Sequence, residues 1–267
     1  MKKESVMLRK LVLGAALAAT CAARAQVGET SISTVFGILK VDSRRENTLV
    51  SVPWVACTGG VESAEICVAD LVKTANLTEG DRLLAFNAQR GAYDGWTLVK
   101  AEDGLLAWEP STTVTAAGLT VAAGERDATL ARGRAIWLMR QDASKPFYLQ
   151  GQFEGAPAVV RVAGGGADAP AYTLLGNALR EGVAVNDLDW GDGPVAGDTL
   201  SIPDGAVPRV LEWDAAAGKW YRTVPTTVGG RVQNVRTTGD RIAAGTGFWY
   251  VRRAADEFTF TWKKKEN

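Results

Sequence analysis

"GTGFWYVRR" spans Gly245 to Arg253, and "GRAIWLMRQ" spans Gly133 to Gln141. Each runs glycine, two residues, a bulky apolar residue, tryptophan, two apolar residues, arginine. Glycine followed by an unbroken apolar run is the pattern of a turn feeding a buried strand. The same pattern at two distant places raises the question of an internal repeat, which decides the fold before any other feature does.

The resemblance extends outward from these two stretches. "VADLVKTANLTEGD" (Val68–Asp81) aligns without a gap on "VNDLDWGDGPVAGD" (Val185–Asp198), matching Val68, Asp70, Leu71, Gly80 and Asp81 to Val185, Asp187, Leu188, Gly197 and Asp198. "FNAQRGAY" (Phe86–Tyr93) aligns on "WDAAAGKW" (Trp213–Trp220), setting Phe86 on Trp213 and Tyr93 on Trp220. "TLVS" at Thr48 and "TLLG" at Thr173 open the two segments, and "FYLQG" at Phe147 and "FTFTW" at Phe258 close them. Length differences fall between anchors, where loops absorb them. The segments read as hairpins with glycine at the turn and short strands, and only "VADLVKTA" has helical spacing, for about two turns. The expectation is an all-β protein of two related β-sandwich or small-barrel units in tandem after a cleaved signal peptide. The boundaries are residues 26–161 for the first unit, 162–170 for the linker "VAGGGADAP", 171–262 for the second unit and 263–267 for a basic tail.

The amino terminus sets the compartment. "MKKESVMLRK" is basic, "LVLGAALAA" is apolar, and Ala23-Arg24-Ala25 is a small-x-small cleavage site, so residues 1–25 read as a secretory signal peptide. A lipoprotein signal acylated at Cys21 is the rival, against which stands Thr20 where a smaller residue is wanted. The whole chain has 30 basic and 30 acidic residues; residues 26–267 keep 25 and 29, a net charge of −4. That balance offers no surface for nucleic acid. No stretch after residue 25 reaches the ~20 apolar residues of a membrane helix. The expected location is secreted, periplasmic or cell-surface. Cys57 and Cys67, the pair left after cleavage, are expected to form a disulfide that clips an inserted loop.

Chemistry is thinly represented. The chain has no histidine, which removes Ser–His–Asp and Cys–His hydrolases and histidine zinc sites. Phosphate-loop motifs are absent, and nothing calls for a cofactor. The acidic turn "NDLDWGDG" gathers Asp187, Asp189 and Asp192, the best candidates for a calcium site or a glycosidase carboxylate pair. It misses the EF-hand spacing by one residue and lacks the distal glutamate. Nine tryptophans supply planar faces on which sugars stack, and equally supply bulk for small β cores. Trp108 in "LLAWEP" and Trp190 in "DLDWGDG" have turn-like surroundings and are expected to be exposed, as candidate ligand-binding rings. Trp137 and Trp249 are expected in the core.

"STVFGILKVDSRRENTLVSVPWV" and "LVKTANLTEGDRLLAFN" resemble uncharacterised secreted β-repeat proteins of planctomycete- and verrucomicrobium-type bacteria. The resemblance implies export and β structure, and carries neither an activity nor site residues. The expected function is therefore a non-enzymatic structural or envelope component, with other envelope or matrix material as partner. The alternatives are a carbohydrate-binding module using exposed tryptophans and, more distantly, a carboxylate glycosidase.

Overall fold

The structure is a computed structural model that describes residues 35–41, 47–52, 56–58, 61–63, 65–73, 76–114, 120–142, 144–153, 157–205, 207–229 and 231–265. The signal-peptide reading of residues 1–25 lies outside them. In the first half of the chain the strands are β1 (Val35–Val41), β2 (Asn47–Ser51), β3 (Ala56–Thr58), β4 (Val61–Ser63), β5 (Glu65–Cys67), β6 (Arg82–Asn87), β7 (Ala92–Lys100), β8 (Leu106–Pro110), β9 (Thr113–Val114), β10 (Thr120–Ala123), β11 (Thr129–Ala131), β12 (Ala135–Met139) and β13 (Phe147–Phe153). In the second half they are β14 (Val159–Val162), β15 (Ala171–Gly176), β16 (Val183–Ala184), β17 (Thr199–Ile202), β18 (Arg209–Asp214), β19 (Lys219–Val228), β20 (Arg231–Thr237), β21 (Arg241–Ile242), β22 (Gly247–Arg252) and β23 (Phe258–Thr261). The helical elements among the described residues are two 3-10 turns, Val68–Lys73 and Val185–Asp187. The all-β expectation is met.

Two large sheets dominate. The first runs β2-β12-β6-β7-β10-β9, with β8 also on β7, and the second runs β15-β22-β17-β18-β19-β20. Strand periodicity puts Leu83, Trp96, Leu98, Ile136 and Leu138 on one face of the first sheet. Ile66 of β5, Leu130 of β11, and Val68 and Leu71 of the 3-10 turn cover that face. On the second sheet Leu200, Leu211, Trp220, Phe248 and Tyr250 point to a core covered by β14, β16, β21 and β23 through Val160, Val183, Ile242 and Phe260. Each large sheet thus buries one face under short two-stranded ladders.

Two aspartates repeat one set of bonds. Asp81, fully buried, accepts from the backbone N–H of Thr78 at 2.9 Å and of Gln141 at 2.7 Å, while its carbonyl accepts from Leu98 N–H. Asp198, also fully buried, accepts from Val195 N–H at 3.2 Å and Arg253 N–H at 2.8 Å, and its carbonyl accepts from Trp213 N–H. The arginines that end the two opening motifs complete the pattern. Arg140 donates to the carbonyls of Asn76 and Lys145, and Arg252 to those of Gly193 and Asp256. Asp198 additionally takes the Tyr250 hydroxyl at 2.6 Å and Arg252 Nη1 at 3.1 Å.

The registers correct the expected hairpin equivalence. Phe86 faces Tyr93 across β6–β7, and β6 adjoins β12. Trp213 faces Trp220 across β18–β19, but β17 stands between β18 and β22. Because Leu98 and Trp213 are the residues bonded to the two aspartate carbonyls, the cross-strand pair matching Trp213–Trp220 is Leu98–Trp108. Local pattern alone matches two hairpins that sit one strand apart.

The two sheets meet through reciprocal edge bonds. Ser51 N–H donates to Gly245 O at 2.9 Å, and Gly176 N–H donates to Gly133 O at 2.8 Å. Gly133 and Gly245 adopt φ of 84° and 73°, the left-handed region their motif positions require. At Gly176 the constraint is space: a Cβ would lie 2.2 Å from the Arg134 carbonyl. Leu49, Ala135 and Leu174, with Phe86, Trp137 and Trp249, fill the junction. Trp137 and Trp249, expected in the core, are half-buried there.

Three further features depart from expectation or qualify it. Cys67 is a free thiol, so the expected disulfide is not present; the side chain of Cys57 lies outside the described residues. The cysteines belong to different ladders, Cys57 opposite Glu62 in β3–β4 and Cys67 opposite Thr129 in β5–β11. The strand Val159–Val162 pairs with Phe258–Thr261, so residues at the junction of the expected first unit and linker join the last strand among the described residues.

Asp198→Ala leaves Arg252 with only the largely exposed Asp256 as its charge partner and strips the Tyr250 hydroxyl of its acceptor, which should cost about 3–5 kcal/mol, read as a lower urea midpoint. Burial first, then the Asp198 carboxylate, pushes the Tyr250 hydroxyl far above the ordinary tyrosine value. An unfolded tyrosine ionises near pH ~10. Above that the folded state holds the extra proton, so stability should fall as pH rises past ~10. Tyr250→Phe should flatten that alkaline fall in urea titrations run from neutral to alkaline pH.

Candidate functional site

The hairpin "FNAQRGAY" builds one wall of an open cleft. Asn87 Oδ1 accepts from the N–H groups of Gln89 and Arg90, which tightens the turn and sets Phe86 and Tyr93 side by side behind it. β6 and β7 carry these rings to the outer face of the second sheet. Phe86 meets Trp249 edge-to-face at 5.1 Å and Tyr93 at 5.4 Å, and Tyr172 meets Trp249 at 6.2 Å. Between the hairpin and Trp249 lies a cleft of about 300 Å³, whose opposite wall is Ala163, Gly164, Pro170 and Ala171. Tyr172 remains 49% exposed at its mouth.

The electrostatics of this cleft are neutral, because none of its lining residues is charged. Burial raises the Tyr93 hydroxyl above the ordinary tyrosine value, opposed by a hydrogen bond from the Trp137 indole. The Arg90–Asp94 ion pair, reinforced by Asn87 Nδ2 on Asp94 at 3.1 Å, stays within the hairpin. The cleft can hold a small uncharged group against aromatic rings; it presents no carboxylate or cation for acid–base work.

The candidate rings and carboxylates named from sequence lie elsewhere. Trp108 and Trp190 are 5% and 3% exposed, which corrects the expectation that they face solvent. Trp108 occupies the inward position of β8, whose neighbours are less buried. Trp190 stacks on Phe260 at 4.4 Å and donates its indole N–H to Val185 O at 2.8 Å. The acidic turn around Trp190 faces water while its ring turns inward, a separation that residue type alone does not reveal.

Asp187, Asp189 and Asp192 do not converge. Asp189 pairs with Lys263 at 2.8 Å and accepts from Gly191 N–H; these contacts hold its carboxyl below the usual carboxylate range. Asp187 and Asp192 are exposed. Among the described residues no group of three or more acidic, cysteine or histidine side chains is placed to hold a metal. A calcium ion needs several oxygens aimed at one point, and in this turn the Asp189 carboxylate is paired with a lysine.

Sequence reading missed Tyr172 and the partnership of Phe86 with Trp249. The first is one tyrosine in a short strand, and the second joins residues far apart in the chain, so neither leaves a local pattern. Searches against protein-family models, curated proteins and solved structures return no match.

Trp108→Ala and Trp190→Ala should each destabilise the fold by about 3–5 kcal/mol, measured by urea unfolding or, if folding fails, by loss of soluble protein. Adding calcium should leave the wild-type unfolding midpoint in place. A wild-type midpoint in either tryptophan variant would remove that ring from the core.

Proposed function

We propose that the protein is an exported, non-enzymatic structural component of the cell surface or envelope, built on a duplicated β unit. Export rests on the basic, apolar and small-x-small segments of residues 1–25. The recurring aspartate and arginine bonds and the reciprocal glycine contacts support the duplication.

The observation that carries an assembly role is the hairpin β19–β20. Its register runs from Arg222–Thr237 to Val228–Arg231, and six of the seven residues of β20 are exposed. Val232 is 73% exposed, and β20 is the last strand of its sheet. An open strand edge of this kind accepts an added strand from a neighbouring chain. β20 carries Arg231 at one end and no acidic residue, while Arg236 stacks over Tyr221 and pairs with Asp214, so the Arg231 end favours a partner strand bearing a carboxylate over a basic one. The net charge of −4 on residues 26–267 gives weak long-range steering, and contact of this type depends little on moderate salt.

The mature protein should begin at Gln26 and cosediment with an isolated envelope fraction at both low and moderate salt. Val232→Asp with Val235→Asp should abolish cosedimentation while changing stability by no more than about 0.5 kcal/mol per site. Retention of residues 1–25 on the purified protein, or a protein wholly absent from the envelope fraction, would sink this reading.

A further inference from the structure

We infer that the cleft between the β6–β7 hairpin and Trp249 is a binding site for a neutral saccharide. Its volume of about 300 Å³ sits at the lower end of small-molecule sites and is too small for a folded partner. Its lining carries no charge, which selects an uncharged ligand. Phe86, Tyr172 and Trp249 supply aromatic surface, and the partly open Tyr172 ring at the mouth is placed to meet the C–H face of a pyranose. A sugar ring pairs that apolar face with hydroxyl edges, so it also needs hydrogen-bonding groups beside the rings.

Beside the rings stand the backbone of Ala163, Gly164, Pro170 and Ala171 and the Tyr172 hydroxyl. The composition of this glycine-rich wall suggests a slack tether, yet the backbone is fastened along its length. Ala163 N–H donates to Thr173 Oγ1 at 3.0 Å, Gly165 N–H to Ala254 O at 2.7 Å, and Arg253 Nη1 reaches Ala167 O at 2.8 Å. A Cβ at Gly164 would lie 2.2 Å from Ala255 O, and one at Gly165 would lie 2.2 Å from Ala171 N. The glycines let the chain lie tight against the β22–β23 connection and the start of β15, so the wall presents only small residues and backbone to the cleft. Such a wall is already ordered before a ligand arrives, which lowers the entropic cost of binding. The opposite wall is also braced, by the Asn87 turn and the Phe86–Tyr93–Trp249 ring contacts.

The site stands apart from the proposed assembly edge. The lining comes from β6, the β6–β7 turn, residues 163, 164 and 170–172, and β22, and none of it belongs to β19 or β20. Loss of envelope attachment in the Val232/Val235 variant therefore leaves sugar binding intact, and the two readings can fail separately.

The test is calorimetric titration of the mature protein, residues 26–267, with the tetrasaccharides of cellulose, xylan, mannan, chitin and laminarin, followed in parallel by tryptophan emission. Saturable binding of at least one, with a change in emission, is expected. Tyr172→Ala should weaken it about ten-fold, the size of one lost aromatic contact, and Tyr172→Phe should retain it. Because Tyr172 is half exposed, both variants are expected to fold, and their far-ultraviolet spectra check this. No saturable binding up to about 10 mM of any tetrasaccharide overturns the inference. So does binding indifferent to Tyr172→Ala, or a tetragalacturonate that binds more tightly than every neutral sugar.

Discussion

A carboxylate with no exposure to water holds the second sheet to its loops. Asp198 gathers two backbone N–H groups, the Tyr250 hydroxyl and the Arg252 guanidinium around one side chain. Those four donors come from three parts of the chain: the preceding turn, the middle of β22, and the Arg252–Arg253 pair at its end. Removing the charge from water is costly, so the arrangement persists because both oxygens are hydrogen-bonded. Asp81 does the same work in the first sheet with neutral donors alone, the backbone of Thr78 and Gln141. The second site is the more polar and the more tightly coupled of the two, since its arginine and tyrosine both depend on the same oxygen.

From those anchors the motif of the two opening stretches acquires a physical meaning. Its glycine takes a left-handed turn, its carbonyl accepts a bond from the other sheet, its apolar residue enters the core, and its arginine ties down loop carbonyls. The tryptophan's surroundings also differ between copies. Trp137 gives its indole hydrogen to Tyr93, whereas Trp249 lies against Phe86 and Tyr172 and lines the cleft. The difference follows from the long β6–β7 hairpin, which crosses to the second sheet; the corresponding β17–β18 connection carries "PDGAVP" and ends in exposed residues. A cleft therefore forms on one side of the junction from elements whose motifs are alike.

Binding and assembly make different demands on a β protein, and here they fall on different strands. The cleft is enclosed by pinned backbone and braced rings, while β20 projects with side chains that touch little of the core. A pre-ordered concave site suits a small ligand, and an open edge suits another chain.

The alternating and unbroken apolar runs, the turn glycines and the two G-x-x-apolar-W stretches determined β structure from sequence alone. Strand periodicity and left-handed turns are local constraints that residue type reports directly. The same holds for Asp81 and Asp198, visible as matched Gly-Asp pairs although their bonds were not. Tertiary structure decided which strand each hairpin joins, since the pattern of aromatic, turn, glycine, aromatic fits either side of a sheet. It also decided that Trp108 and Trp190 turn inward beneath polar neighbours, and that Asp189 spends its carboxylate on Lys263. The cleft needed it most, because Phe86, Gly164, Tyr172 and Trp249 are brought together only by the reciprocal contact of two sheets, and no spacing along the chain records that contact.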